Sequence, residues 1–371
     1  MSEPASAGPE DAIDWPPAWP RVLDDDCGPP PTGDYRATPE DFRVEEVLDF
    51  APEGEGEHLW LFIEKRDLTT AMVARDLARL CEVSPRVVGY AGMKDRVAVT
   101  RQWLSVQLPG RDAPEDLVER LADRGIRVLD QARHPRKLKR GVHRANRFQL
   151  RLTGAATTDA GFASRWQRLC RDGVANYFGP QRFGPHGRNL QRARAVLARG
   201  WRKRDDREGM LLSAARSFLF NELLAERIRD GSWATPLPGD VVMLDGSASQ
   251  FGVSPDDAGQ LAELRERAAR LDLHPAGILW GVGASRAACE ARAREAALAT
   301  GYPGLCGGLE HAGVRLARRS LRLRLAEPAL SHGDEALWLS FSLPRGAFAT
   351  AVLRELISHP TLGPPPSDRS P

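Results

Sequence analysis

Residues Gly89 to Leu108 read GYAGMKDRVAVTRQWLSVQL. Two glycines, Gly89 and Gly92, interrupt any regular period in the first half, and the pair Lys94-Asp95 sits on the irregular turn they make. From Val97 the second half, VAVTRQWLSVQL, alternates as a strand does. The stretch is a carboxylate-bearing loop that runs straight into a strand. Working outward, PEDFRVEEVLDF (Pro39 to Phe50) alternates well enough for one strand, and HLWLFIEKR (His58 to Arg66) reads as a second, more buried one. Between them and the loop, TTAMVARDLARLCEVS (Thr69 to Ser84) opens on a Thr cap. It places Met72, Val73, Leu77 and Leu80 at helical spacing, which predicts an amphipathic helix.

Downstream, PEDLVERLADRG (Pro114 to Gly125) has Pro at a helix start and Gly just past its end. IRVLDQ and NRFQLRL (Asn146 to Leu152) return to strand character. From about Asp159 the pattern is helical, over 159–172, 189–199, 210–229, 254–270 and 285–300, with short Gly/Pro-rich joints. Strand character resumes at 320–325 and 336–343, and a helix over 348–358 follows. This order predicts an α+β protein with a mostly helical domain inserted in it, the sheet being completed by the C-terminal strands. Residues 1–33, with eight prolines, read as a poorly ordered acidic tail, and 361–371 as a frayed one.

Composition excludes several classes. No apolar run approaches the roughly 18 residues of a membrane span, and MSEPASAGPEDAID lacks the architecture of a secretory signal, so a cytoplasmic protein is expected. Cys27, Cys81, Cys170, Cys289 and Cys306 contain no C-x-x-C spacing, and no histidines pair as H-x-x-x-H, which argues against a zinc site or a disulfide framework. GVGASR at Gly281 has two glycines of a dinucleotide fingerprint without the third and reads as a turn.

The net charge of +2 hides an uneven distribution. Residues 1–57 hold 16 acidic and 3 basic residues, so the remainder carries +15. Three stretches contain no carboxylate: Gln131 to Leu152, with eight Arg or Lys; Gly173 to Arg204, with eight; and Ala312 to Ala326, with five. Such stretches suit a polyanion, because neutralising phosphates releases condensed counterions. They equally describe solvated helix faces. A carboxylate on a glycine-flanked loop at a sheet edge, with a cation beside it to favour the ionised form, is placed for nucleophilic chemistry.

AGMKDRVAVTRQW resembles the active-site motif of the TruD family of tRNA pseudouridine synthases. ATPEDFRVEE (Ala37 to Glu46), NRF within GVHRANRFQLRL, VANYFGPQRFG (Val174 to Gly184), LSAARSFLFN (Leu212 to Asn221) and FSLPRGAFATAVLRELI (Phe341 to Ile357) resemble the same family in the same order. Together they run from about residue 36 to 357.

The resemblance implies a pseudouridine synthase catalytic domain with a central mixed or antiparallel sheet, over 34–171 and 319–360, interrupted by a large, mostly helical α/β TRUD insertion domain over 172–318. It implies a cofactor-independent, metal-free isomerase that acts on uridine 13 in the D arm of tRNA. The glycosidic bond breaks, the uracil turns while held, and it rejoins the ribose through carbon. Asp95 falls on the catalytic aspartate. It could attack the sugar, add to the base or assist loss of the 2′-proton. The target uridine must be flipped out of the stack, and Phe148 falls on the aromatic platform for it. Asn146, Lys94, Arg36, Phe42 and Phe348 match further positions around the site; at Arg36 the family is expected to have lysine. Arg182, Arg188, Lys137, Lys139 and Arg140 are candidates for RNA phosphates, GPQRFGPHGRN (Gly179 to Asn189) reading equally as a rigid hinge. A monomer is expected, with no membrane association. Two other readings compete: a non-catalytic tRNA-binding protein or RNA chaperone, separated from the enzyme only by Asp95, and an RNA methyltransferase, which needs a glycine-rich adenosylmethionine loop or a knotted domain that is not found.

Overall fold

The computed structural model describes residues 13, 15–206 and 209–363. They form two compact units, one of Thr32–Ala160 with Leu325–Ala347, the other of the described parts of Met1–Pro31, Gly161–Arg324 and Phe348–Pro371. The division differs from the sequence expectation at its edges. Helix Phe162–Asp172, the segment 319–324 and helix Ala349–Leu356 belong to the second unit rather than to the sheet-bearing one.

The first unit is built on a nine-stranded sheet in the order Ala326–Gly333, Ala336–Pro344, Ala145–Thr153, Phe42–Val47, Val99–Gln107, His58–Arg66, Ile126–His134. Two short strands join off this path, Asp34–Tyr35 beside Ala145–Thr153 and Val88–Tyr90 beside Val99–Gln107. Every pairing is antiparallel except that of Phe42–Val47 with Val99–Gln107, so the sheet is mixed. Side chains alternate across a strand. The registers Lys65 with Thr100, Thr100 with Val44, Val44 with Phe148 and Phe148 with Phe341 therefore gather these residues on one face. Phe42, Glu46, Gln102 and Asn146 share it. Helices Thr70–Leu80 and Leu117–Ala122 cover part of this face, Val73, Leu77, Leu117 and Leu121 packing with Leu59, Leu61, Ile63 and Leu104. The first helix has its Thr69 cap, the hydroxyl accepting from Met72 N, but Met72 itself is exposed. The buried stripe is Val73, Ala74, Leu77 and Leu80.

The opposite face carries a row of charges of alternating sign. Arg127 bonds Glu64 at 2.7 Å, Arg101 bonds Glu64 at 2.8 Å and Glu45 at 3.2 Å, and Arg147 bonds Glu45 at 3.4 Å and Glu327 at 3.5 Å. Exposed pairs contribute up to about 1 kcal/mol each; their alternation also disfavours register slips, which would set like charges opposite one another.

The second unit packs around helix Met210–Arg229, whose Phe218, Phe220 and Leu224 join Phe183, Leu190 and Leu309 in one core. Its helices form close to the expected spans, and between them lie strands that the periodicity does not show. Val241–Leu244, Gln250–Gly252, Leu273–Leu279 and Ala317–Ser320 form a four-stranded sheet, and Pro303–His311 is an additional helix. The expected strand over 320–325 is instead two shorter ones, ending at Ser320 and resuming at Arg322–Leu323.

The N-terminal tail requires correction where it is described. Trp19 lies against Tyr177, Phe183 and Phe218 at 5.9, 5.6 and 6.1 Å between ring centroids, and its indole donates to Glu222 at 2.6 Å. Val22 N donates to the fully buried Glu355 at 2.9 Å, and Arg354 donates to the carbonyls of Trp19 and Pro20. Two tryptophans among the prolines bury enough apolar surface to order the segment. Residues 1–12 and 14 lie outside the described residues, as do 364–371 of the expected C-terminal tail; Leu362 of that tail is buried.

Gly89 is required by space. A β-carbon there would stand 2.3 Å from the Leu138 carbonyl oxygen and 2.6 Å from Ser105 Oγ. Gly89→Ala is expected to destabilise the protein by about 2 kcal/mol or more, read as a lower urea midpoint at unchanged m-value; an unshifted midpoint would show that the strand accommodates the methyl group.

Candidate active site

Asp95 lies on the loop between strands Val88–Tyr90 and Val99–Gln107, its side chain 60% exposed. The loop has no ladder of its own, so its polar backbone groups must find partners elsewhere. Ala91 O accepts from Gly141 N at 2.8 Å, and Gly92 O accepts from Gln102 Nε2 at 3.1 Å. Lys94 N donates to Thr70 Oγ1 at 2.9 Å, and that hydroxyl donates to Gln102 Oε1 at 2.8 Å. Asp95 O accepts from Lys65 Nζ at 2.9 Å.

The Asp95 carboxylate faces Arg36. Arg36 Nη2 donates to Asp95 Oδ2 at 2.9 Å, while Oδ1 makes no hydrogen bond among the described residues. Arg36 adopts φ +63°, an uncommon conformation for a side-chain-bearing residue. Its guanidinium lies 3.8 Å from the centroid of Phe42, a cation–π contact. Phe42 meets Phe148 edge-on at 6.1 Å, and Phe148 stacks on Phe341 at 5.5 Å. All three rings are buried. The ring directly beneath Arg36 is therefore Phe42, with Phe148 supporting it from behind.

Lys94 points away from Asp95. Its Nζ bonds Glu46 Oε2 at 2.6 Å, both side chains lying almost wholly out of solvent. Burial pushes the Glu46 carboxyl up from its ordinary range, and the Lys94 ammonium opposes that push. His143 packs beside them, 3.1 Å from where a β-carbon of Gly92 would stand. Burial, then Lys94 and Arg345, lower its imidazole to about 4, so the ring is neutral at pH 7. Asn146 stands opposite Glu46 in the strand register. Among the buried polar atoms here with no hydrogen-bond partner among the described residues are Arg36 Nε, Asn146 Oδ1, Glu46 Oε1 and His143 Nδ1. Unmet hydrogen-bonding capacity beside an exposed carboxylate is what a polar ligand would satisfy.

The structure thus brings Asp95, Arg36, Phe42, Lys94, Asn146 and Phe148 together. Phe348 belongs to the second unit, where it packs on Phe178 at 5.9 Å with Arg182 over both rings at 5.5 Å. Arg182 also donates to Ser213 Oγ, whereas Arg188, at the start of helix Arg188–Ala198, is exposed. Lys139 is exposed, but Lys137 donates to Arg86 O and Arg140 to the Tyr90 hydroxyl. Sequence reasoning missed Glu46, Lys65, Thr70, Gln102, His143 and Phe341. Glu46 and Lys65 were detectable, since each occupies an inward position in an alternating strand where an apolar residue is expected.

The basic stretches are partly neutralised in space. Arg133 pairs with Asp112, Arg144 with Asp49, Arg147 with Glu45 and Glu327, and Arg151 with Asp41. In the third stretch, Arg318 pairs with Glu295 and Arg324 with Asp245. Carboxylate-free in sequence is not carboxylate-free in the fold.

Among solved structures, the fold matches the crystal structure assigned to tRNA pseudouridine synthase D of Methanosarcina mazei. The TM-score is 0.69 over 88% of this chain and 94% of that one, at 21% identity, so the likeness is one of fold. Sequence resolves the family. The profile described as tRNA pseudouridine synthase D (TruD) matches residues 28–204 and 204–356. A protein named tRNA pseudouridine synthase D from Chromohalobacter salexigens is 60% identical over 94% of this chain and 98% of its own length. Another of that name, from Pseudomonas putida strain W619, is 46% identical over 88% and 91%. The chain belongs to the TruD family.

Removing one partner of a buried ion pair leaves the other charge uncompensated. Glu46→Gln is therefore expected to lower stability by about 3–5 kcal/mol, and the double variant Glu46→Leu/Lys94→Met to recover most of that loss. Chemical denaturation of the three proteins measures both; a double variant no more stable than the single one would show that the pair itself holds the loop.

Proposed function

We propose that this protein isomerises uridine to pseudouridine in tRNA, at nucleotide 13 of the D arm, with Asp95 as the nucleophile. The carrying observation is the Asp95 carboxylate itself: exposed, one oxygen fixed by Arg36 at 2.9 Å and the other uncommitted, on a loop whose backbone is tied down by side chains from the sheet. Family membership supplies the reaction, and the names of the relatives supply the class of RNA.

In the reaction the C1′–N1 bond of a flipped-out uridine breaks and a C1′–C5 bond forms. The C5 proton is released to solvent, and N1 takes up a proton. Nothing is oxidised and no group is transferred between molecules, so acid–base and nucleophilic side chains are enough. Arg36 holds the attacking carboxylate in one orientation, which reduces the entropic cost of reaching the transition state. Asn146 and Glu46 offer a hydrogen-bonding edge of the kind a pyrimidine presents to, and the buried Phe42, Phe148 and Phe341 form the floor. We assign Phe348 to the same substrate. Arg188 and Lys139 are the best supported of the RNA-phosphate candidates, because each is exposed. Arg182, Lys137 and Arg140 share that role with the internal contacts described above.

The test uses tRNA transcript with tritium at C5 of uridine, no added cofactor, and a chelator. Release of tritium to water is expected from the wild type, falling by roughly 10³-fold or more in Asp95→Asn while tRNA binding persists. Unimpaired release by that variant would overturn the role of Asp95. No release by the wild type, with binding intact, would favour the RNA-chaperone reading.

A further inference from the structure

Lys65 is the penultimate residue of strand His58–Arg66, and the alternation that buries Leu59, Leu61 and Ile63 carries it inward as well. Only 1% of it is exposed. Its Nζ donates to two main-chain carbonyls, Leu68 O at 2.5 Å and Asp95 O at 2.9 Å. Both belong to segments that have left the sheet, so neither carbonyl has a ladder partner to turn to.

A buried ammonium is an expensive way to satisfy two carbonyls, since its desolvation is unfavourable and neither acceptor is a carboxylate. Methionine or leucine would pack the same position more favourably. What the ammonium adds is a pair of charge-assisted bonds, roughly twice as strong as neutral ones, on a stem long enough to span from the sheet to the loop. We infer that Lys65 is a positioning residue for the nucleophile: it grips the main chain of Asp95 from behind and sets the direction in which the carboxylate meets its substrate. The inference rests on the reading of Asp95 as nucleophile. Arg36 and Lys65 then divide the task, Arg36 holding the side chain at its tip and Lys65 holding the backbone at its root.

The charge on this clamp depends on pH. Burial lowers the Lys65 ammonium to about 8; Asp95 and Asp67 work to keep the proton on, and Lys94 works to remove it. Its register neighbours on the flanking strands, Thr100 and Ile126, do not titrate. Below about pH 8 both bonds are charge-assisted, and above it they weaken.

The test combines kinetics with a measurement that does not depend on turnover. In the wild type, kcat for tRNA is expected to fall above about pH 8. Lys65→Gln, which keeps a donor but no charge, is expected to lose that alkaline limb and to run about tenfold or more slower at pH 7. Lys65→Met is expected to lose about a hundredfold in kcat, with KM for tRNA changed by no more than about threefold. Amide hydrogen exchange over residues 93–98 reads the clamp directly and is expected to be at least about tenfold faster in Lys65→Met than in the wild type, while exchange in strand Val99–Gln107 is unchanged. An alkaline limb that persists in Lys65→Gln, or exchange over 93–98 equal to wild type in a folded Lys65→Met, would overturn the inference. An inactive wild type with the expected exchange difference would instead place the fault with the proposed reaction and leave the clamp standing.

Discussion

The structure depends on one constraint: the backbone that carries Asp95 must be irregular, and irregular backbone inside a protein needs a partner for every polar group. The nine-stranded sheet meets it by spending inward positions on polar side chains. Gln102 and Lys65 reach from two neighbouring strands to hold Gly92 O and Asp95 O, and Thr70, at the start of the covering helix, receives Lys94 N. Glu46, from a third strand, anchors the Lys94 side chain. The carboxylate is turned outward, and it is precise because the backbone behind it is fixed. The positive φ of Arg36 and several orphaned polar atoms lie at this site, where local stability has been given up for geometry.

The two faces of the sheet treat charge in opposite ways. Outside, arginines and glutamates alternate across strands in solvent, where each pair contributes little and the pattern matters for register. Inside, isolated charges sit on single strands and hold specific atoms. The same residue types therefore have different consequences according to the parity of their position, as Glu45 and Glu46 demonstrate side by side: Glu45 joins the surface row and Glu46 holds Lys94.

Much of this was legible in the sequence. The helix over Thr70–Leu80 with its Thr69 cap, the long helix Met210–Arg229, and the strands at 42–47, 58–66 and 99–107 all have clear periods. Less legible were segments whose order comes from distant partners. Ala326–Gly333 contains Pro328 and is exposed along most of its length, so only its pairing to Ala336–Pro344 makes it a strand. The proline-rich stretch around Trp15 and Trp19 has no period at all, and acquires structure from an aromatic seat assembled elsewhere in the chain. The candidate residues were named through their motifs, but the shell that supports their loop was not. Thr70, Gln102 and His143 are ordinary polar residues until strand register and burial bring them to the loop. Local charge misled most, because the carboxylates that neutralise Arg147, Arg151 and Arg318 lie 23 to 180 residues away.

The seat of Trp19 and Val22 has a consequence for how the protein is made. Val22 leaves the ribosome early, yet its partner Glu355 lies 333 residues later in the chain. At ordinary rates of synthesis that interval is roughly 15 to 70 s. Strand Ala145–Thr153 waits in the same way for Ala336–Pro344, which pairs along one of its sides. During translation the nascent chain therefore lacks the bonds that fix Trp19, Pro20 and Val22 to the last helix and carries an open strand edge, a feature that invites wrong pairing. Both are completed only when the last tenth or so of the polypeptide emerges, so a truncated chain would lack not a tail but the closure of both units.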